Sequence, residues 1–233
     1  MPTVLVTGAS RGLGLEFVRQ YAYLGWEVHA CVRAPEGAQG LQSLAAAQAA
    51  GGVRIHRLDV TDFAAIDALA RELEGLPIDV LINNAGTMGP RGDAFGASDF
   101  AAWEGIFRLN AFAPLKMAEA FVGHVGRSAE KKIVSISTIM ASMARNGMGG
   151  FYAYRASKAA LNAIMVSLAL DVGRRRGIIA ALLHPGWVRT DMGGARAEIE
   201  PAASVEGMRR VIAGLTREQG GRFLSYDGSE LPW

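Results

Sequence analysis

Short apolar runs alternate with helical segments along the whole chain, and this alternation limits the possible folds more than any other feature. Strands that alternate with helices form a parallel sheet with helices on both faces, joined by right-handed crossovers. We therefore predict an α/β fold, a doubly wound parallel sheet of about seven strands. The predicted strands are residues 3–7, 27–32, 53–58, 78–82, 131–137, 178–183 and 222–225. The main predicted helices between them are residues 40–50, 62–73, 98–107, 110–126 and 203–215.

The composition indicates a single, well-packed soluble domain. The chain has 233 residues, half of them hydrophobic and a fifth charged, and its formal net charge is +2. That length suits one domain, residues 1–233, and so small a charge favours neither nucleic acid nor an anionic membrane as a partner. Cys31 is the only cysteine, which excludes an internal disulfide. Since no charged leader and no apolar run of about 18 residues is present, we expect a cytoplasmic protein without a membrane span.

The first predicted strand is followed by a glycine-rich turn, residues 7–14, with the sequence Thr-Gly-Ala-Ser-Arg-Gly-Leu-Gly. Gly8 permits a tight turn, while Gly12 and Gly14 let a pyrophosphate and the helix come close. Free N–H groups at the start of that helix attract phosphates. This order favours dinucleotide binding in a Rossmann-type domain over a plain tight turn, although the spacing is not G-x-G-x-x-G. The cofactor contacts expected here are Gly8, Ser10, Arg11, Gly12, Leu13 and Gly14.

The end of the second predicted strand distinguishes between the two dinucleotides. An NAD site usually has an Asp or Glu there, which accepts hydrogen bonds from the ribose hydroxyls. Here the strand ends Ala-Cys-Val-Arg, without an acid. Arg33, together with Arg11, suits the 2′-phosphate of NADP(H), since guanidinium groups pair well with phosphate. We therefore expect NADP(H) in preference to NAD(H); the alternative is two solvated surface arginines.

Polar and small residues follow the third and fourth predicted strands. Asp59, next to Val60, is expected either to accept a hydrogen bond from the adenine amino group or to cap the next helix. Asn84, Ala85 and Gly86 follow the fourth strand, at the edge of the sheet where such folds bind ligands. The alternative for these three residues is an ordinary turn.

Tyr154 and Lys158 are four residues apart in a predicted helix, which places both side chains on one face, about 6 Å apart along the axis. Lowering a tyrosine pKa from roughly 10 to about 7 requires roughly 4 kcal/mol. A cation about 4 Å away supplies roughly that much at an effective dielectric constant near 20, so the pair suits general acid–base catalysis. The alternative is a half-buried tyrosine beside a solvated lysine. Asn110, between two predicted helices, is either a satisfied buried amide or a polar group that holds water.

The candidate functional residues occur along the chain in a fixed order, from the glycine-rich turn to residues 185–190. In this order of motifs the chain resembles the classical short-chain dehydrogenase/reductase family. The resemblance covers essentially the whole sequence. Three segments, residues 152–158, 184–194 and 220–233, resemble the C-factor-like and sniffer-like carbonyl reductases within that family.

The resemblance implies a role for each matching residue. Tyr154 passes a proton to or from the substrate oxygen, while Lys158 holds the nicotinamide ribose and depresses the pKa of Tyr154. Asn110 anchors a water that links Lys158 to solvent. Gly186 and Thr190 contact the nicotinamide end of the cofactor. The other cofactor contacts implied after the sixth strand are Pro185 and Val188.

The sequence departs from the family at one position, where the family usually has a serine that orients the substrate oxygen. Counting back from Tyr154 places Thr138 there, with Ser137 just before it. Threonine keeps the hydroxyl, while its methyl group narrows the pocket and restricts χ1. Since neighbouring strand residues point to opposite faces, only one of the two can face the site, and we expect Thr138.

Methionine and tryptophan side chains fall on the loops expected around the crevice. Flexible thioethers suit an adaptable apolar pocket, and a subunit interface or lid packing is the alternative. Gly193 and Gly194 provide a hinge for a substrate lid predicted at residues 187–201. The expected substrate contacts are Met88, Met140, Met148, Trp187 and Met192, with Met143 beside them.

The residues and the resemblance together predict NADPH-dependent reduction of a ketone, aldehyde or quinone, with Tyr154 as general acid. The presence of Tyr154, Lys158, Asn110 and Thr138 together favours an enzyme over the alternative, an NADP(H)-binding regulatory or signalling protein with little turnover. The expected partners are a small carbonyl substrate and, by analogy with the family, further copies of the chain in a homodimer or homotetramer. No metal site is expected.

Overall fold

The structure, a computed structural model, describes residues 1–47, 52–90 and 94–233, and its centre is a single parallel sheet. Its strands are β1 (Thr3–Thr7), β2 (Glu27–Val32), β3 (Val53–Arg57), β4 (Val80–Asn83), β5 (Lys132–Ile136), β6 (Ile179–His184) and β7 (Phe223–Ser225). They pair in the order β3-β2-β1-β4-β5-β6-β7. The predicted doubly wound sheet in one α/β domain is confirmed, and predicted and observed strand ends differ by at most two residues.

Helices connect the strands and cover both faces of the sheet. They are α1 (Gly12–Tyr23), α2 (Gln39–Ala47), α3 (Phe63–Glu72), α4 (Phe100–Phe107), α5 (Ala113–Arg127), α6 (Tyr152–Arg176) and α7 (Pro201–Gly214). The last three residues of the helix predicted at 40–50 lie outside the described residues, as do residues 91–93 of the loop before α4. Between α4 and α5 the chain makes a π-helical turn, Arg108–Phe112, at the predicted junction.

Two hydrophobic cores hold the sheet between its helices. On one face α1, α2 and α7 pack on the strands, with Phe17 and Met208 fully buried. On the other face α3, α5 and α6 pack on the strands, with Ile66, Phe121 and Leu161 fully buried. The long helix α6 packs on this face with buried residues from Ala153 to Val172.

The chain order reverses between β1 and β4, which are neighbours in the sheet although two strands separate them in sequence. The Thr7 hydroxyl accepts hydrogen bonds from the backbone N–H groups of Asn84 and Ala85, at 3.0 and 3.1 Å. The Asn84 amide donates to the carbonyl oxygens of Thr7 and Gly8, at 2.9 and 3.2 Å. These bonds fix the two loops that border the crevice, the usual ligand site of such a sheet.

Among the described residues, α6 is the one helix with the length and apolar composition of a membrane-spanning segment. Core helices of globular domains have the same properties, and Leu161 and Met165 of α6 are fully buried against the sheet. The composition of α6 therefore reflects its position in the core.

Candidate active site

The glycine-rich turn after β1 is shaped by contacts that leave no space for side chains. Gly8 has a φ of +67°, and a Cβ there would lie 2.8 Å from the Cα of Ala85. A Cβ on Gly14 would lie 2.2 Å from the Gly8 carbonyl oxygen and 2.6 Å from the Asn84 amide nitrogen. Since real Cβ atoms do not approach so closely, β1, α1 and the loop after β4 converge in this arrangement only when both residues are glycine.

The start of α1 is open to an anion. Arg11 precedes the helix in extended conformation and its side chain does not cap it, and the first turn contains no acidic residue. The N–H groups of that turn, which includes Leu13, therefore have no side-chain acceptor among the described residues, and Ser10 and Arg11 are exposed beside them. Unpaired N–H groups and the helix dipole together suit a phosphate, so this turn fits the diphosphate of a dinucleotide.

The carboxyl ends of β2 and β3 carry the residues expected near the adenosine. Arg33 is exposed, and its guanidinium forms no salt bridge within the described part of the chain. Asp59 accepts hydrogen bonds from the backbone and hydroxyl of Thr61, at 2.9 and 2.7 Å. Burial opposes ionisation of Asp59, but these bonds and the charge of Arg33 bring its pKa below the ordinary value. The cap of α3 is Asp62, which accepts from the N–H of Ala65, so Asp59 does not have the capping role.

Tyr154 and Lys158 lie on the first two turns of α6, at the carboxyl edge of the sheet, and each is only 6% exposed. The Thr138 hydroxyl faces the Tyr154 hydroxyl and counteracts the rise in pKa that burial causes there. The Lys158 ammonium donates to the carbonyl oxygen of Ile136, the last residue of β5, at 2.7 Å. The structure therefore brings the predicted phenol, hydroxyl and ammonium groups together, and none of the three points into bulk solvent.

Ser137 and Thr138 both contact α6, which the expected alternation of strand residues does not allow. The Ser137 hydroxyl donates to the Asn162 side-chain oxygen at 2.6 Å, two turns below Tyr154. Strand β5 ends at Ile136, so alternation no longer holds at Thr138, where the chain turns into a short 3₁₀ segment. Alternation therefore does not extend over this pair, but only one of the two residues, Thr138, lies at Tyr154.

The electrostatic effect of Lys158 on Tyr154 differs from the sequence expectation. Burial raises the pKa of Tyr154 above its ordinary value, and the hydrogen bond from Thr138 offsets part of that rise. Burial also lowers the pKa of Lys158 to about 8. The predicted depression of the Tyr154 pKa is therefore absent from the protein alone, because both groups are desolvated and the ammonium is directed at the carbonyl of Ile136.

Asn110 is fully buried in the π-helical turn, where it joins the loop after β4 to α6. Its side-chain oxygen accepts from the N–H of Thr87 at 2.9 Å, and its amide donates to the carbonyl of Thr87 at 2.8 Å. The same amide donates to the Ser157 hydroxyl at 3.0 Å. Of the two readings of Asn110, the satisfied buried amide describes its side chain. A Cβ on Gly86 would lie 3.2 Å from the Asn110 oxygen and 3.4 Å from the Lys158 nitrogen, so this glycine separates the two groups.

The segment after β6 crosses over the glycine-rich turn. A Cβ on Gly12 would lie 3.5 Å from a methyl carbon of Thr190, and Arg11 forms a salt bridge with Asp191 at 3.5 Å. Gly186 has a φ of +82° and leaves no space for a side chain beside Ile199. The predicted contacts that precede the crossing are the half-buried Pro185 and the buried Val188.

Apolar side chains form an open rim on the loops around the crevice. Met143, Met148, Trp187 and Met192 are exposed, whereas Met88 and Met140 are half-buried. The Trp187 indole N–H donates to the carbonyl oxygen of Gly193 at 2.9 Å, which closes the turn at the predicted hinge. Val60 is buried behind the site, where it lines a small space with Ala85.

Several residues that connect the site were not identified in the sequence. Ser157 lies three residues after Tyr154, and Asn162 lies four residues after Lys158. Helical spacing was therefore a usable signal for both Ser157 and Asn162. Thr87 contacts Asn110 through its backbone groups, and Arg155 donates to the carbonyl oxygen of Met140 at 3.0 Å, so neither contact has a recognisable pattern in the sequence.

Comparison with known proteins agrees with this geometry. Residues 2–200 match the sequence profile of the short chain dehydrogenase family. C-signal from Myxococcus xanthus is 46% identical over 157 residues, which are 67% of this chain and 93% of that protein. Carbonyl reductase Sniffer of D. melanogaster has a TM-score of 0.91 and 33% identity, with 100% of both chains covered. NADPH-bound carbonyl reductase from chicken fatty liver has a TM-score of 0.92 and 34% identity, with 100% of this chain and 99% of that one covered.

The chain therefore belongs to the short-chain dehydrogenase family, a family of oxidoreductases, as the resemblance in the sequence predicted.

Proposed function

We propose that the protein is an NADPH-dependent oxidoreductase that reduces the carbonyl group of a small ketone, aldehyde or quinone to an alcohol. One observation carries the proposal: Tyr154 is buried at the carboxyl edge of the sheet with its hydroxyl facing Thr138, and Lys158 is buried one turn further along α6. A buried, oriented phenol next to an ammonium is a means of delivering a proton.

Three side chains have separate roles in the proposed reaction. A reduced nicotinamide bound in the crevice would supply the hydride that the carbonyl carbon accepts. Tyr154 donates its hydroxyl proton to the carbonyl oxygen, and the Thr138 hydroxyl holds that oxygen in place. Lys158 donates one of its three ammonium N–H groups to the carbonyl oxygen of Ile136. The other two would bind the ribose hydroxyls of the cofactor. Water is excluded because the tyrosine, the lysine and Asn110 are all buried.

The preference for NADP(H) rests on two exposed cations on the cofactor side. Arg33 stands at the end of β2, where an NAD site usually has an acid, and Arg11 lies in the glycine-rich turn. Guanidinium groups bind a 2′-phosphate with paired hydrogen bonds. The NADPH in the chicken carbonyl reductase, a structural neighbour at 34% identity, supports the same choice of cofactor.

The substrate side favours an apolar or aromatic carbonyl compound. The exposed thioethers of the rim adapt to ligands of different shape, and Trp187 offers an aromatic surface. We further propose that residues 187–201 act as a lid, because this segment crosses the glycine-rich turn and has glycines at its centre.

The second candidate function is signalling or regulation with little turnover. It is favoured by one observation, the 46% identity to C-signal over 67% of this chain. In that case the site would bind NADP(H) and change the contacts of the protein, and the buried Tyr154 would not be required.

Turnover measurements on one substrate panel distinguish the two candidates. We expect the protein to oxidise NADPH in the presence of quinones and aromatic ketones, and we expect Tyr154→Phe to lower kcat by about a thousandfold, since general acid catalysis contributes 10²- to 10⁴-fold. The affinity for NADPH, measured by fluorescence titration, serves as the control and should not change. Tight NADPH binding without turnover on any member of the panel would instead support the regulatory function.

The proposal includes a cytoplasmic location and assembly into a homodimer or homotetramer. An exposed aromatic groove supports the second point: Phe100 is 72% exposed and Phe112 is 48% exposed, and Trp103 and Phe107 lie between them on α4. Monomers rarely expose aromatic surface of this kind. Light scattering on the native protein and on Phe112→Asp would test it; a monomer mass for the native protein would contradict the assembly.

A further inference from the structure

Arg155 follows Tyr154 directly on α6 and reaches back to the loop after β5. One of its terminal guanidinium N–H groups donates to the carbonyl oxygen of Met140 at 3.0 Å. The N–H of Met140 donates to the Thr138 hydroxyl oxygen at 3.2 Å, and that hydroxyl faces Tyr154. The four residues therefore form a closed ring in which both backbone groups of Met140 are used.

This ring determines which way the Thr138 hydroxyl can point. The N–H of Met140 occupies one lone pair of the oxygen, which leaves the hydroxyl hydrogen and a second lone pair for Tyr154 and a substrate oxygen. The short helical segment of residues 139–141 has its own backbone bonds, from Ala141 to Thr138 and from Ser142 to Ile139. Those bonds shape the segment but do not attach it to α6, whereas the bond from Arg155 does.

The buried position of the Arg155 side chain costs free energy of folding. Its Nε is buried and has no hydrogen-bond partner within the described residues, and an unpaired buried donor carries a desolvation cost. A methionine of similar length would fill the space without that cost. A residue that is unfavourable for stability and bonded to the loop of a catalytic hydroxyl is expected to serve the site.

We propose that Arg155 is a positioning residue for carbonyl reduction: by holding Met140, it fixes the Thr138 hydroxyl against Tyr154. The inference rests on the proposed function, because it gives Arg155 a role in the same reaction. Arg155 itself does not touch the substrate, the cofactor or the reacting atoms.

The test compares Arg155→Met with Arg155→Lys and with the control Arg175→Met, an exposed arginine near the far end of the same helix. For Arg155→Met we expect kcat to fall about 10- to 100-fold, the range that a small misplacement of a catalytic group costs. KM for the carbonyl and the dissociation constant for NADPH should change less than about threefold, since the loss of an interaction made only in the transition state lowers kcat and kcat/KM equally. The melting temperature should stay the same or rise.

Two further measurements separate positioning from a structural role. Arg155→Lys should recover part of the lost kcat, because an ammonium can donate to the same carbonyl, and added guanidinium ion at low concentration should raise the kcat of a third variant, Arg155→Ala. A native kcat in Arg155→Met would overturn the proposal. The proposal would also be overturned if Arg155→Met lowered kcat, the affinity for NADPH and the melting temperature together.

A third measurement does not depend on turnover. Hydrogen exchange of the Met140 amide should become about tenfold faster in Arg155→Met and remain unchanged in Arg175→Met, because the ring holds that amide. If the native protein reduces no carbonyl compound, the proposed function fails, and this exchange rate still decides whether Arg155 fixes the loop. An unchanged rate would overturn the inference whatever the activity.

Discussion

The cofactor side and the catalytic side of the crevice are built in opposite ways. The cofactor side consists of backbone and exposed charges: the glycine-rich turn supplies N–H groups, and the Arg11 side chain is 77% exposed. The catalytic side consists of buried side chains, with Tyr154 and Lys158 only 6% exposed and Asn110 fully buried. One side binds by shape and long-range charge, whereas the other depends on individual hydrogen bonds in a dry environment.

The difference indicates how each side responds to change. Exposed charges are screened by salt and contribute little individually, so the cofactor side should tolerate the loss of one arginine but not the loss of its backbone shape. Buried hydrogen bonds are not screened, so the catalytic side should fail when a single polar atom is removed. The predictions below test this contrast.

The largest effect is expected from Gly14→Ala on the cofactor side. Because the new Cβ would lie 2.2 Å from the Gly8 carbonyl oxygen, α1 must move away from the turn. We expect a loss of several kcal/mol of unfolding free energy, as for other overpacked sites, and no measurable NADPH binding. Denaturant unfolding and fluorescence titration measure the two quantities.

The control for this change is Gly105→Ala, whose Cβ would meet no heavy atom within 4 Å. It lies inside α4, so alanine should stabilise the protein by about 0.5–1 kcal/mol. Equal behaviour of the two variants would show that the backbone of the turn is not the determinant of the cofactor side.

On the catalytic side, Thr138→Ala should lower kcat about a hundredfold, because it removes the hydroxyl that holds the substrate oxygen and bonds Tyr154. Ser137→Ala removes an equally buried hydroxyl, yet its bond goes to Asn162 below the site. We expect Ser137→Ala to cost about 1–3 kcal/mol of stability and little turnover.

Steady-state kinetics with Thr138→Ser as an additional control measure this pair. The serine variant keeps the hydroxyl and should retain most of the activity. If Ser137→Ala lost turnover and Thr138→Ala did not, the two assignments would have to be exchanged.

The parts of the molecule that the sequence predicts well are those that depend on neighbours in the chain. The strands follow from short apolar runs, the turn at Gly8 follows from glycine spacing, and the Tyr154–Lys158 pair follows from a separation of four residues. Each of these depends on residues within one or two turns of each other, so the pattern is visible in the sequence.

The features that escaped prediction depend on contacts between distant residues. The rise in the Tyr154 pKa comes from burial, which no local pattern reports. The bonds of Asn110 go to Thr87, 23 residues away, and the bond of Arg155 goes to Met140, 15 residues away.

A moderate effect is expected from Arg33→Asp. The reversed charge should repel the 2′-phosphate and raise the dissociation constant of NADP⁺ about 10- to 30-fold, while that of NAD⁺ changes little. Arg71→Asp, an exposed arginine at the end of α3, is the control and should leave both constants unchanged. Calorimetric titration with each cofactor gives the values, and an equal loss for both would remove Arg33 from the phosphate site.

The smallest effect is expected at the exposed ion pair between Arg11 and Asp191, where the two sides meet under the segment after β6. The carboxylate of Asp191 occupies the guanidinium that a cofactor phosphate would use, and it also repels that phosphate. Asp191→Asn should therefore tighten NADP⁺ binding about two- to threefold at low salt, the scale of one surface pair.

Salt dependence checks the origin of this gain. In about 1 M salt, where the screening length is near 3 Å, Asp191→Asn and the native protein should bind NADP⁺ equally. Glu198→Gln removes another exposed acid from the same segment and should have no effect at either salt concentration. A gain that persists in high salt would mean that Asp191 restrains the segment mechanically, and then the cofactor side would not be governed by screened charges alone.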